Sequence, residues 1–428
     1  MAVVYPFKGF RYNTEIEGNL SRVVTQPYDK TTTAMQDAYY QSSPYNVVRV
    51  TLNVEKRDDP ETTYPDAGAT FRRWVEQKVL VQDRLPAIYA YYQEYAADES
   101  IKVQKGFIAL LDLKNSESGV IPHENTLAAP KQDRLRLMRS IEGNEDLIYM
   151  LYSDAQLRIN RTMDASISGR QPEIEAIDEY GVTHRLWAIA DPEAIGIIQQ
   201  VMRAQTLFIA DGHHRFETSV NFMRECEQRR WKPVGAESFD KRMVGCFNII
   251  GGVTILPTHR LVRDIPSFDA SSFLHTLETR FAIEAASSAA ELWRKMREGC
   301  DDHVFGFYPA KLRQFYLLRL SQEAREGEDP KDLLDVSILH SLILDRGLGI
   351  DGTRLEAQTN VDYERERETC IRMVDEGKYQ AAFFLNPTTA EQVQRIGLRG
   401  ERMPQKSTDF YPKLLTGLVF MRMNIAKG

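Results

Sequence analysis

Along the chain the spacing of apolar positions changes, and the changes predict elements. "TLFIA" (206–210) is a short apolar run of strand type. From Phe216 onward, Val220, Met223 and Cys226 recur at steps of three and four. Residues 206–230 therefore predict a strand, a tight turn and an amphipathic helix. "NVVRVTLN" (46–53) reads as a strand, "KRDDPETTYPD" (56–66) as a polar loop, and "AGATFRRWVEQKVLVQD" as a helix with Phe71, Trp74 and Val75 inward. "AIYAYYQEYA" and "KGFIALLDL" predict two antiparallel strands joined by "ADES". "MVGCFNIIGGVTIL" suggests two strands about Gly251 and Gly252, and beyond roughly residue 265 the pattern becomes helical until the late strand "YQAAFFLNP" and a helix from "TTAEQVQRI". Strands and helices mix without the steady alternation of a doubly wound sheet, so the expected class is α+β, or mixed α/β.

The turn between strand and helix carries "DGHHR" (211–215). Asp211 suits a helix cap and Gly212 a turn that a side chain would obstruct. A helix start offers backbone N–H groups and the positive end of its dipole to an anion, and Arg215 adds a planar fork of donors. Phosphate is the first ligand to consider; pure capping and a hydrogen-bonded histidine pair are the plain alternatives. His213 and His214 are adjacent and cannot share one helix face, which disfavours a metal site made from them alone.

Composition narrows the classes. A chain of 428 residues with formal charge −7 and interspersed signs lacks the basic surface of a general nucleic-acid binder. Cys226, Cys246, Cys300 and Cys370 lie far apart without paired-ligand spacing, so neither zinc nor a disulfide framework is signalled. The start shows no apolar signal segment and no stretch approaches bilayer length, so the expectation is a cytoplasmic protein without membrane contact. A Walker-type P-loop and a Ser-centred nucleophile elbow are both missing from the sequence.

Other residues could join the phosphate-type turn. In "IPHENT" (121–126), Glu124 beside His123 could take a proton from a hydroxyl, with Thr126 close by, although the same loop could simply cap the next helix. Lys131, Arg134 and Arg136 follow and suit phosphate or a solvated helix face. Lys8, Asp29, His259, Arg260, Lys406, Ser407, Thr408 and Lys413 belong to Pro- and aromatic-rich segments that could line a cleft or form packed turns.

Taken in order, "PFKG", "QPYD", "IPHENT", "ADGHHRFE", "LPTHR" and "KSTDFYPKLLTGLV" resemble the domain of unknown function family numbered ten-fifteen. More distantly, "PHE" with "DGHHR" is similar to the free-serine kinase SerK and the ParB/sulfiredoxin superfamily. His213 stands where sulfiredoxin has a cysteine, which argues against peroxiredoxin repair. The resemblance implies a ParB/sulfiredoxin-like core at 119–264, a mixed α/β region at 1–118 and a C-terminal α/β domain at 265–428. It also implies a kinase using ADP or ATP with magnesium on a small polar hydroxyl substrate, free L-serine first; a homo-oligomer is compatible with the chain. Glu124 would be the base with His123 beside it, and Asp211 would orient substrate or hold magnesium. Gly212, His213, His214, Arg215, Lys131 and Arg134 would bind nucleotide phosphates. The rival readings are a nucleotide-binding regulatory protein without turnover and a metal-dependent phosphohydrolase.

Overall fold

The computed structural model describes residues 1–52, 60–97, 100–116, 119–121, 128–324, 334–399, 403–404 and 406–428. They form two units of mixed α/β structure: the first comprises Met1–Pro122, Thr126–Val253 and Pro412–Gly428, and the second is mainly Thr254–Tyr411. Among the described residues, no helix is long and apolar enough to cross a membrane.

The first unit is built on a nine-stranded sheet. Its strands are β1 Val4–Tyr5, β2 Ile88–Ala97, β3 Ser100–Asp112, β4 Val120–Ile121, β5 Ile148–Tyr152, β6 Ile174–Ile177, β7 Thr183–Ile189, β8 Leu207–Asp211 and β9 Lys241–Asn248. The spatial order is β4-β8-β5-β9-β3-β2-β7-β6, with β1 added against β3. Strands from both sides of position 118 thus share one sheet. The expected hairpin is present, with β2 antiparallel to β3 and Tyr89 opposite Ile108. β9 runs parallel to β5 and antiparallel to β3, so its residues are buried throughout.

Four helices matter for the site: α1 Ala128–Ile141, α2 Arg158–Ile167, α3 Pro192–Arg203 and α4 His213–Gln228. In α3, Pro192 opens the first turn and Asp191 accepts from the Ala194 N–H at 2.8 Å. Its residues Ile195, Ile198, Val201 and Met202 then recur at helical spacing. With Ile159 and Met163 of α2, they bury against Phe107, Met150, Ile209 and Val244 of the sheet. On the other face lies the returning C-terminal segment: Leu415 N–H donates to the Tyr91 hydroxyl, and Gln93 donates to the Lys413 carbonyl at 2.8 Å. Gly245 is small because a Cβ there would meet Leu414 Cδ1 at 2.5 Å.

Two expectations fail locally. Val48–Thr51 is a short helix rather than a strand, despite its β-branched residues. Asn46 explains it: its Oδ1 accepts from the Val48 N–H at 2.9 Å while its Nδ2 donates to the Arg22 carbonyl at 2.8 Å, so the side chain fixes a helical turn. The predicted loop at 56–66 contains a helix start, since a helix spans Pro60–Glu76 and buries Phe71 and Trp74.

The second unit carries a six-stranded sheet where mainly helices were expected. Its strands are β10 His259–Val262, β11 Phe281–Ala286, β12 Val304–Pro309, β13 Phe315–Leu320, β14 Val361–Glu364 and β15 Ala381–Phe384. The order is β11-β13-β12-β15-β10-β14, and the pairings are antiparallel. The expected late strand is β15, and the helix from "TTAEQVQRI" is Ala390–Leu398.

Candidate functional site

The predicted strand, turn and helix at 206–230 are present as β8, Gly212 and α4. The register of β8 against β5 shifts between Ile209 and Asp211, an irregularity that re-aims the last side chain of the strand. Gly212 has φ +94° and is the N-cap, with no side chain capping the helix. Asp211 is therefore not the cap that its sequence position suggested. Its carboxylate instead pairs with Arg215 one turn into α4 and lies 3.5 Å from Lys413 Nζ. Glycine is needed at 212 for two reasons. Its φ lies in the left-handed region, and a Cβ would meet Arg215 Nε at 3.0 Å and Cζ at 3.1 Å.

Arg215 is buried and folds back over this turn. Besides Asp211, it faces Asp29 at 3.8 Å and Asp146 at 3.9 Å, and it donates to the Leu147 carbonyl. Burial disfavours the charge, but Asp211, Asp146 and Asp29 together raise the guanidinium above its ordinary value. Burial likewise pushes Asp211 up, while Lys413, Arg215, Lys30 and His213 pull it well below the usual carboxylate range. Asp146 also stays ionised below its ordinary value, because Arg242 and Arg215 outweigh its burial. The result is a buried alternation of charge running from Lys413 through Asp211, Arg215 and Asp146 to Arg242.

Glu145 behaves differently from its neighbour. Burial and Asp146 push its carboxyl up to about 7, with Arg242 and Arg134 pulling the other way. Arg134 is buried, pairs with Asp133 at 2.6 Å, donates to the Thr51 carbonyl at 3.1 Å and stacks over the Tyr28 ring at 4.2 Å. Burial raises Tyr28 to about 12, so its hydroxyl is protonated at neutral pH.

The two histidines follow the turn. His213 is buried and His214 is half-buried. Burial lowers His214 below its ordinary value by more than Asp29 and Glu217 restore, which favours the neutral imidazole. Lys131 of α1 bonds Glu217 of α4 at 2.8 Å, and Arg139 bonds Glu225 at 2.7 Å, so α1 is pinned along α4.

The structure thus brings Asp211, Gly212, His213, His214, Arg215, Asp29, Lys131, Arg134 and Lys413 into one region of the first unit. His123, Glu124 and Thr126 lie outside the described residues. Lys8 is elsewhere, its backbone N–H bonded to Glu237 at 2.8 Å. His259, Arg260 and Lys406 belong to the second unit, where Arg260 donates to the Lys406 carbonyl at 3.1 Å. Tyr28, Lys30, Glu145, Asp146 and Arg242 were not singled out in the sequence. The available signal was "NEDLIYMLY": two adjacent acids directly before an unbroken apolar run mark carboxylates entering a sheet.

Anion binding and charge neutralisation are the chemistry this region suits. Among the described residues, no group of three or more His, Cys, Asp or Glu side chains could hold a metal ion. Asp211, the expected magnesium ligand, has its carboxylate engaged by Arg215 and Lys413, an arrangement that does not fit direct ligation. An open cavity of about 880 Å³ in the first unit, lined by Phe10, Glu142, Arg422, Asn424 and Lys427 among others, involves none of these groups.

The family model described as "Protein of unknown function (DUF1015)" matches residues 4–337. A conserved hypothetical protein from Pyrococcus furiosus is similar in structure at 12% identity and a TM-score of 0.35, over 75% of this chain and 95% of that one. A mutant free serine kinase in complex with AMP is similar at 11% identity and a TM-score of 0.36, over 71% and 87% of the two chains. SbnI with C-terminal truncation from Staphylococcus aureus is similar at 10% identity and a TM-score of 0.34, over 72% and 85%. No curated protein matches.

Proposed function

We propose that this chain, which belongs to the DUF1015 family, is a small-molecule kinase. It takes ADP or ATP by its phosphates at the start of α4 and phosphorylates a hydroxyl acceptor, free L-serine being the first candidate. The observation that carries the reading is the setting of the α4 N-terminus. A left-handed glycine opens the helix without a side-chain cap, and Lys413, Lys30 and His213 all act electrostatically on the adjoining Asp211. A helix start with cations beside it is a suitable seat for phosphate oxygens.

Phosphoryl transfer asks mainly for positioning and for neutralisation of charge on the transferred group. Lys413 and the α4 amides would supply both. The network of Arg215, Asp146 and Arg242 beneath them would keep the turn rigid, which matters because loosely held donors lose much of their effect. His214, favoured as the neutral ring, could donate a hydrogen bond without adding charge. Glu124 keeps its role as base on the resemblance of "IPHENT", and His123 stands beside it in sequence. Magnesium would arrive on the nucleotide phosphates, and no protein ligand is assigned to it.

The test is a nucleotide-consumption screen on the purified full chain, with ADP and ATP against L-serine first, then other amino acids and polyols. Products are identified by mass spectrometry. A phosphorylated acceptor is the expected result. Saturable nucleotide binding with no product from any acceptor would replace the kinase with a regulatory nucleotide binder. Release of inorganic phosphate from phosphate esters without nucleotide would favour a phosphohydrolase.

A further inference from the structure

Four arginines among the described residues are buried: Arg134, Arg215, Arg242 and Arg260. The first three each pair with carboxylates, namely Asp133, then Asp211 with Asp146 and Asp29, then Asp146. Among the described residues, Arg260 has no carboxylate in contact. It lies on β10 with Tyr363 of β14 opposite in register, and its guanidinium stands 5.3 Å from that ring. Its polar partners are the Thr258 carbonyl, the Lys406 carbonyl at 3.1 Å and His340 Nε2 at 3.4 Å. Its Nε–H, also buried, has no hydrogen-bond partner among the described residues.

Buried charges are ordinarily paired, because removing an ion from water is costly and only an opposite charge offsets that cost. Carbonyls and a neutral ring satisfy hydrogen bonds but do not cancel the charge. Burial pulls the Arg260 guanidinium down to about 10, with only Tyr363 opposing. His340 does not help, since burial and Arg260 push it down to about 3 and it remains neutral. With Nε2 accepting from Arg260, the ring proton of His340 belongs on Nδ1.

The segment that carries His340 is itself unusual: Leu339–Asp345 is a π-helical turn, a rare form frequent at functional sites. His340 and Tyr363 are half-buried and Lys406 is exposed, so the groups around Arg260 extend from core to surface.

We propose that Arg260 anchors an oxyanion site in the second unit, taking one carboxylate or phosphate group of a small molecule at the Nε edge of the guanidinium. The bound anion supplies the opposite charge that Arg260 lacks among the described residues, and Tyr363 and His340 border it. The Nε–H offers either oxyanion one charge-assisted hydrogen bond, the Nη donors being engaged by Thr258, Lys406 and His340. This site belongs to the second unit, the phosphate seat at α4 to the first, and the proposal does not depend on kinase activity.

The experiment compares the thermal unfolding midpoint of the full chain and of Arg260→Met in phosphate, acetate and chloride at equal ionic strength. In the natural chain the midpoint is expected to rise with phosphate or acetate beyond chloride, and whichever acts names the chemistry. Arg260→Met removes an uncompensated charge, so its midpoint in chloride should be no lower. The anion concentration for half the rise should increase at least ~10-fold, the loss typical of a charge-assisted contact. Reading the difference between the two chains removes any phosphate response of the α4 site. An equal anion response in both chains, or a fall of the variant midpoint by the same amount in all three salts, overturns the proposal. Should Arg260→Met not fold, Arg260→Lys keeps the charge without the Nε–H, and an undiminished anion response in it is equally fatal. Failure of both variants to fold in every salt marks Arg260 as a structural hydrogen-bonding group and overturns the site.

Discussion

Lys413 Nζ stands 3.5 Å from Asp211 Oδ1, although 202 positions separate the two residues. The C-terminal segment is held on the sheet of the first unit by its backbone, through Gln93 to the Lys413 carbonyl and Leu415 to Tyr91, so the ammonium is delivered by a fixed strap. Lys413→Met keeps most of the buried aliphatic stem and removes the ammonium with its charge and its N–H donors. Nucleotide affinity is expected to fall about 10- to 100-fold, the range for losing a hydrogen bond to a charged group. Calorimetric titration with ADP and ATP measures it, with circular dichroism to check the fold. Unchanged affinity would take the phosphate seat away from this end of α4.

Gly212 tests the turn itself. Alanine at φ +94° carries the left-handed penalty of roughly 1–2 kcal/mol, and its Cβ presses on Arg215 at 3.0–3.3 Å. Gly212→Ala is expected to lose about 2 kcal/mol of stability, and Gly212→Val more, because branching stiffens the side chain against the same guanidinium. Urea unfolding gives the values. A midpoint equal to that of the natural chain would mean the turn relaxes and Arg215 is not held over it.

The strand, turn and helix were legible because local spacing determines them: an apolar run ends at Asp211 and a helical period starts at Phe216. The network around the turn was not legible, because Asp146, Arg242 and Lys413 meet Asp211 and Arg215 only through the parallel pairing of β5 with β9 and the return of the C-terminal segment. No local pattern carries such long-range pairings. Strands β11 and β13 of the second unit were missed for another reason: "FAIEAA" and "FYLLRL" bury residues on an irregular rhythm and lie among strong helical periods. At Val48–Thr51, β-branched propensity lost to the side chain of Asn46.

Glu145 predicts a pH dependence with a definite sign. Its carboxyl is raised from an ordinary 4.5 to about 7 by burial and by Asp146. Between those values the folded chain holds a proton that the unfolded chain has lost. The Glu145 contribution to stability therefore falls as pH rises through this window, by up to about 3 kcal/mol, while the buried neutral His340 contributes with the opposite sign. Asp146 is shifted downward and titrates below the window, so it does not mask the effect. Glu145→Gln should lose this contribution, so that its stability gains relative to the natural chain as pH rises, and be the more stable chain at pH 8. Urea midpoints from pH 4.5 to 8 decide it, and equal slopes in both chains would mean Glu145 is not protonated near neutrality.

Two carboxyl groups now compete for the role of base, and their glutamine variants separate them. Glu145 has a pKa near the working pH, which suits general acid–base catalysis, but it is buried beside Asp146 and the Arg242 and Arg134 guanidiniums. A base must reach a substrate hydroxyl, and a group packed among buried ions is poorly placed to do so. Glu124 carries the motif resemblance instead. Glu124→Gln is expected to keep nucleotide affinity and to lose about 10²- to 10⁴-fold in turnover, the usual range for removing a positioned base. Glu145→Gln should keep turnover within roughly 10-fold at pH 7, since it changes the charge of the network without touching the reacting atoms. Single-turnover rates and calorimetric affinities for both variants make the comparison. The opposite pattern, full turnover in Glu124→Gln with a collapse in folded Glu145→Gln, would move the base to the buried carboxyl and require substrate to enter the ionic network beneath α4.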